Sequence, residues 1–403
     1  MARKIGIVVQ RYGLEISGGA EYHARLIAER LARYFAVEVF TTTAHDYVTW
    51  ADHYANAVDV IHGIPVNRFR VKKPRDPERF GRIQKRVVAE EHTYLEELDW
   101  LDEEGPLAPA LLQALDRRQD EFDYLLFFSY RYYHSYQGVR RFAPKAILVP
   151  TAEHDEVIYL RLFRDLFRLP AAIVYNSVEE MELIQRLSGN SHVAGDVVGV
   201  GSEIPASFDA DGARRRFGID GPFFIYIGRL DENKGIPELF RYYLALQQKD
   251  FPLTLVLAGS SRLPIPEHPR IRYLGFVSDE DKFSLLAGAE FLIIPSQYES
   301  LSMVALEAWA MGKPVVANGC TEVLRGQCRR SNAGLWYSSY AEFSEVVRLL
   351  HGDENLRQRL AENGRRFFTE NYSWPVIDGK YLRLIERLDA RRQIPEGGSP
   401  RGG

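Results

Sequence analysis

The feature that most limits what this chain can fold into is its alternation of short, unbroken apolar runs with longer stretches of helical period. Ile5 to Val9, Val37 to Thr41 and Ile64 to Val71 are short and rich in β-branched residues, so they read as strands. Between the first two, ARLIAERLARY sets Leu26, Ala28, Leu31 and Ala32 on a helical stripe. Tyr124 to Phe128, Ala146 to Val149 and Ala172 to Tyr175 continue the strand series. A second series starts after about residue 195, with Phe223 to Ile227, Leu253 to Leu257, Ile271 to Tyr273, Phe291 to Ile294 and Val315 to Val316. Strands alternating with helices imply βαβ units and mostly parallel sheets.

The expected organisation is α/β, with two Rossmann-like doubly wound domains facing across a cleft where the carboxyl ends of their strands meet. Residues 1–195 form the first domain and 196–370 the second. A C-terminal helix over 371–390 crosses back to the first domain, and 391–403, ending GGSPRGG, reads as a disordered tail. The charged stretch from about 72 to 122 reads as a helical insertion over one edge of the first sheet.

At about 150 residues per domain, 403 residues allow two or three. A net charge of -4 argues against a nucleic-acid partner. Two cysteines, Cys320 and Cys328, cannot build a disulfide framework or an all-cysteine zinc site, and read as reduced thiols. Asp209-Ala210-Asp211 reads as a helix N-cap rather than a metal site, and no metal is expected. No run approaches the ~20 apolar residues of a membrane span, and Ile5 to Val9 is too short for a signal core. A cytoplasmic location is the expectation.

PSQYESLSMVALEAWAMGKPVVAN is the most informative stretch. Glu299 precedes a helix that Ser300 or Ser302 can cap, and the free amides of Leu301, Ser302 and Met303 make an anion site suited to phosphate. Glu307 lies inside the helix among Val304, Ala305, Leu306, Ala308 and Trp309, where an acid is usually paired or bound to something polar. Taken alone, Arg229 and Lys234 read as surface cations, Gly18 and Gly19 as turn residues, and His154 as a structural histidine.

The spacing of Glu299 and Glu307 resembles the E-x7-E signature of the retaining glycosyltransferases of family 4, which have the GT-B fold. GRLDENKG (228–235) is similar to that family's donor loop, and LVLAGSS and LGFVSDED to its strand ends. GGAE (18–21) resembles its first glycine loop, and AEHDE, VYNSVEE and VVGVGSEIP its central histidine, "NS" strand and crossover. The resemblance implies a retaining transfer of sugar from a nucleotide-diphosphate donor, UDP- or GDP-linked, to a hydroxyl of a glycan, lipid-linked or small-molecule acceptor. It needs no prosthetic group.

By the same resemblance, Gly228, Arg229 and Lys234 hold the donor diphosphate, Glu307 the ribose and Glu299 the sugar near its anomeric centre. The base lies against Phe276 and Val277, Gly18 and Gly19 let backbone approach the ligand, and His154 lies under the sugar, with Asp155 as second choice. The pattern departs from the family at Ser300-Leu301-Ser302, where "GFG" is common, at GVGSEIP, and in the insertion. A nucleotide-sugar epimerase or hydrolase, and a degenerate binding subunit, remain the alternatives. FFSYRYYHSYQGVRRFAPK (127–145) offers aromatics and cations for a sugar or an anionic lipid head, hence an expected peripheral contact with the inner membrane face.

Overall fold

The computed structural model describes residues 3–16 and 18–393 and divides into two compact units. The first takes the chain up to Val200 and again from Ile377, and the second is Gly201–Val376.

In the first unit the chain runs β1 (Lys4–Val8), α1 (Gly19–Leu31), β2 (Ala36–Thr42), β3 (Val58–Ile61), β4 (Ile64–Phe69), α2 (Pro77–Ala89), α3 (Tyr94–Glu104) and α4 (Pro109–Arg118). It continues through β5 (Tyr124–Phe128), α5 (Tyr133–Arg141), β6 (Ala146–Val149), α6 (Arg161–Leu166), β7 (Ala172–Tyr175), α7 (Val178–Ser188) and β8 (Ala194–Val197). The eight strands stand in the order β3-β4-β2-β1-β5-β6-β7-β8. Neighbours pair in parallel except β3, which returns antiparallel beside β4. The fully buried runs YLLFF of β5 and AILV of β6 are covered on both faces, as parallel strands must be.

The segment read as a helical insertion is helical (α2 to α4) and contributes to the core of this unit. Trp100, Leu101, Leu111 and Leu115 are fully buried in one cluster with Phe122, Leu125 and Phe127, and α4 packs against β2 and β4. Its helices start where the sequence supplies caps. Asp76 accepts from the amides of Glu78 and Arg79, and Thr93 forms a capping box with Glu96.

The second unit holds α8 (Ala210–Arg216), β9 (Phe223–Ile227), α9 (Ile236–Gln247), β10 (Thr254–Ala258), β11 (Ile271–Tyr273), α10 (Asp279–Gly288) and β12 (Leu292–Ile294). After these come α11 (Met303–Ala310), β13 (Val315–Asn318), α12 (Glu322–Ser331), β14 (Gly334–Tyr337), α13 (Tyr340–Gly352) and α14 (Glu354–Asn371). Its six strands are all parallel, in the order β11-β10-β9-β12-β13-β14. The order reverses between β9 and β12, and in the first sheet between β1 and β5. Such switch points open a crevice at the carboxyl ends of their strands.

The last helix, α15 (Trp374–Gln393), belongs from Ile377 onward to the first unit. There Asp378 receives Arg30 Nε at 3.1 Å and Tyr34 OH at 3.0 Å, and Asp389 receives Tyr124 OH at 2.9 Å. Helix therefore continues to Gln393, three residues into the stretch expected as tail. The rest of that stretch, 394–403, lies outside the described residues.

Candidate functional site

Both acidic and cationic motifs of the second unit emerge at its switch point. Gly228, Arg229 and Lys234 follow β9, while Glu299 and α11 follow β12. One carboxylate organises the first loop. Asp231 Oδ2 accepts from Arg229 Nε at 2.5 Å and Oδ1 from the Lys234 amide at 3.0 Å. Tyr226 OH donates to the Arg229 carbonyl at 2.7 Å. Lys234 Nζ then reaches across to Glu299 Oε1 at 2.7 Å. The loop beyond β12 is pegged from below, since Asn318 Nδ2 donates to the Pro295 carbonyl at 3.0 Å and Thr321 Oγ1 to that of Ser296 at 2.7 Å.

The ion pairs here differ in depth. The Arg229 side chain is 40% exposed and paired with Asp231, a half-solvated contact of at most about 1 kcal/mol. Such a cation can exchange its partner for a diphosphate at small cost. Glu307 is buried, and its Oε1 accepts from Lys282 Nζ at 2.9 Å. Burial pushes the Glu307 carboxyl above its usual range, while Lys282 pulls it back. Sequence reasoning passed over Lys282, which looks like one charge in the run DEDK. The available signal is its spacing, three and four residues before the fully buried Leu285 and Leu286.

Expectations for the start of α11 need one correction. Ser302 occupies the N-cap position, but its side chain makes no capping bond, and its backbone is left-handed at φ 65°. A glycine adopts that conformation freely and a serine does not. The position therefore keeps the backbone that a glycine-rich version of this turn would have. Leu301 is buried, whereas Phe276, after β11, is 83% exposed, the most exposed large apolar side chain among the described residues. Val277 beside it is half-buried.

In the first unit, Gly18 and Gly19 open α1 beyond β1, at that sheet's switch point. They are not equivalent. A Cβ on Gly18 would fall 2.2 Å from Glu21 Oε2, while one on Gly19 meets nothing within 4 Å. The buried Glu21 pairs with Arg11 at 2.6 Å, and Arg11 Nη1 also donates to the His45 carbonyl.

His154, after β6, is exposed, and its Nε2 lies 2.5 Å from Tyr159 OH. Asp155 is the sheltered member of that stretch, receiving Arg131 Nη1 at 3.1 Å and the Ile158 amide at 3.2 Å. Burial raises its pKa and Arg131 opposes the rise.

The aromatic segment expected to face an acceptor mostly does not. Tyr130, His134 and Tyr136 are buried in or against the core, Arg131 is held by Glu104 and Asp155, and Arg141 pairs with Asp116. Tyr130 and Tyr136 belong to the hydrophobic core, Tyr132 and Tyr133 are half-buried, and Arg140 and Arg141 are exposed.

Asp209 caps α8 by accepting from the Gly212 amide at 2.8 Å, and Cys320 and Cys328 are unbridged. Among the described residues no group of three or more His, Cys, Asp or Glu is placed to hold a metal. Among the same residues no helix is long and apolar enough to cross a membrane.

Residues 209–367 match the family model for glycosyl transferases group 1. Over 179 residues the chain is 28% identical to an alpha-D-kanosaminyltransferase of Streptomyces kanamyceticus, covering 40% of this chain and 44% of that one. Over 181 residues it is 30% identical to the N,N'-diacetylbacillosaminyl-diphospho-undecaprenol alpha-1,3-N-acetylgalactosaminyltransferase of Campylobacter jejuni, covering 41% and 45%. The chain thus spans less than half the length of these curated relatives.

Among solved structures, sucrose-phosphate synthase of Thermosynechococcus elongatus superposes with a TM-score of 0.70 at 16% identity, over 96% of this chain and all of that one. HepE of Anabaena, solved with UDP-glucose, does so with a TM-score of 0.66 at 18% identity, over 96% and 99%. By sequence over residues 209–367 this chain is similar to the glycosyl transferases group 1, and its fold is GT-B.

Proposed function

We propose that the chain is a retaining glycosyltransferase of family 4, moving a sugar from a nucleotide-diphosphate donor to an acceptor hydroxyl. The observation that carries this reading is the ion pair between Lys234, in the loop after β9, and Glu299, in the loop after β12, at the switch point where Arg229 also lies and where α11, bearing Glu307, begins. The match to glycosyl transferases group 1 over the same residues supports it. The donor in this reading is a UDP- or GDP-linked sugar, and among structural neighbours of this fold HepE of Anabaena was solved with UDP and with UDP-glucose.

In this reading Arg229 and Lys234 take the diphosphate, and the amides of Leu301, Ser302 and Met303 lie against its oxygens. Glu307 accepts from the ribose diol, Phe276 and Val277 flank the base, and Glu299 orients the sugar while steering Lys234. By the family resemblance His154 takes the contact to the sugar, with Asp155 as the alternative, and Gly18 and Gly19 give the ligand access to backbone. The acceptor oxygen attacks the anomeric carbon on the face the leaving phosphate vacates. As the new C–O bond forms, the bond to the β-phosphate oxygen breaks, and the acceptor proton passes to that phosphate. The charge left on the nucleoside diphosphate falls to Arg229 and Lys234 rather than to a metal.

A glycan, a lipid-linked sugar or a small molecule all fit as acceptor. A cytoplasmic location with peripheral contact to anionic lipid belongs to the same proposal, resting now on exposed Arg140 and Arg141 alone. Sedimentation with anionic vesicles tests it.

Thermal-shift titration with UDP, GDP and ADP tests the donor site, because a ligand held only by the native state raises Tm. At least one nucleotide should stabilise the wild type, and Glu307→Ala should abolish that gain. Equal shifts in both proteins would remove the ribose role. Donor consumed at full rate without any acceptor would favour an epimerase or hydrolase instead.

A further inference from the structure

Glu307 shares its surroundings with a lysine that no sequence motif singles out. Lys282 Nζ stands 2.9 Å from Glu307 Oε1 and 3.0 Å from Asp279 Oδ1. The Lys282 and Glu307 side chains are 16% and 8% exposed, whereas Asp279 is 82% exposed. Lysine is seldom drawn this far out of water unless it is paired, and here the sheltered partner is the very acid assigned to the nucleotide.

We propose that Lys282 is a positioning residue for Glu307: its ammonium grips Oε1, fixing the carboxylate as an anion in one orientation so that Oε2 is left for the ribose diol. This rests on the donor-site reading above.

Among the described residues, the surroundings leave that task to Lys282. Strands β12 and β13, which flank α11, contribute only Leu292–Ile294 and Val315–Asn318, none of them titratable. Helix α14, packed on α11, brings Arg365, whose guanidinium fills the space above Gly312, five residues beyond Glu307. The charged groups acting on Glu307 are Lys282, which favours the anion, and Asp279, which opposes it. Without the ammonium, burial and Asp279 both favour the neutral acid. A neutral carboxyl loses the charge-assisted bond to a hydroxyl and can swing away from Oε1's present place.

The sign is fixed. Glu307 is ionised above its folded pKa, so nucleotide affinity falls as pH drops through it. Removing Lys282 raises that pKa and moves the acid limb to higher pH.

Two readouts separate this from the donor assignment. The first uses no ligand. In full-length protein with 13C-labelled glutamate carboxyls, the Glu307 signal is the one missing from Glu307→Gln. Its titration midpoint should rise by about one pH unit or more in Lys282→Met and in Lys282→Gln, and return toward wild type in Lys282→Arg. A midpoint unmoved in the Met and Gln variants overturns the proposal, and the second variant stands in if the first does not fold.

The second readout is calorimetric affinity for UDP, GDP and ADP at pH 5.5 and pH 8. For the tightest nucleotide, Lys282→Met should weaken binding about tenfold at pH 5.5 and clearly less at pH 8. Equal weakening at both, or none, overturns the positioning role. If the wild type binds none of the three while the carboxyl midpoint still shifts, the donor reading fails and the hold of Lys282 on Glu307 stands.

Discussion

Gly235→Ala tests whether the loop carrying Lys234 is locked against the loop carrying Glu299. Gly235 closes GRLDENKG at the N-cap of α9 with φ +71°, and a Cβ built on it falls 2.1 Å from the Pro295 carbonyl oxygen and 2.9 Å from its carbon. Both atoms are backbone, so no side-chain rotation relieves the clash. The left-handed conformation costs an alanine about 1–2 kcal/mol. Forcing the two segments apart adds about 1–3 kcal/mol. Reduced freedom of the unfolded chain returns about 0.4–1 kcal/mol.

The expected net loss is about 1–4.5 kcal/mol. In a unit of this size that lowers Tm by roughly 2–18 °C. Scanning calorimetry of the full chain reads the shift, and urea unfolding followed by tryptophan fluorescence assigns it, since Trp309, Trp336 and Trp374 report on the second unit. Gly19→Ala is the matched control, because its Cβ meets nothing within 4 Å. It should stay within about 0.5 kcal/mol of wild type. A loss below about 1 kcal/mol for Gly235→Ala, or an equal loss for the control, would refute the packing argument.

Three further outcomes follow from the same structure. Ser302 holds φ 65°, so Ser302→Gly should be about 1 kcal/mol more stable than Ser302→Ala, which keeps the strain, by urea denaturation. Glu180 is fully buried and accepts from the amides of Ala152 and Asn176, and burial pushes its carboxyl up to about 8. Its folded pKa lies above the unfolded one, so it contributes stability at acid pH that is lost between about 4.5 and 8. The difference in Tm between wild type and Glu180→Gln should shrink across that window, and a constant difference would contradict the shift. Removing Arg30 leaves the buried Asp378 with Tyr34 as its remaining described partner, so Arg30→Ala should cost about 3 kcal/mol, partly recovered by adding Asp378→Ala.

Much of the sheet architecture was legible because parallel strands are covered on both faces and so appear as unbroken apolar runs. Tyr124–Phe128 and Phe223–Ile227 are of this kind. The strands that escaped notice are short and peripheral. Val58–Ile61 has three exposed residues of four, and Ala194–Val197 and Gly334–Tyr337 close the far edges of their sheets.

At the candidate site, Arg229, Lys234, Glu299 and Glu307 could be picked out because each sits in a recognisable local motif. Asp231 could not, and Lys282 only through its helical spacing to Leu285 and Leu286. Lys282 matters through a contact 25 positions away in sequence. Asp231 matters through the two loop groups it joins, which composition cannot reveal. The tyrosine-rich stretch misled for the opposite reason. Aromatic residues at strand ends serve a core as readily as a ligand, and only burial separates the two uses.

The return of α15 to the first unit has a consequence for how the polypeptide is born. Arg30 and Asp378 are 348 positions apart, and the second unit is contained wholly between them. At about 5–20 residues per second, a ribosome needs roughly 20–70 s to deliver the aspartate after the arginine. Through that interval the nascent first unit lacks the helix that covers Tyr124 and Arg30, while the later-made second unit is already whole once Val376 has emerged. The half translated first is therefore the half finished last.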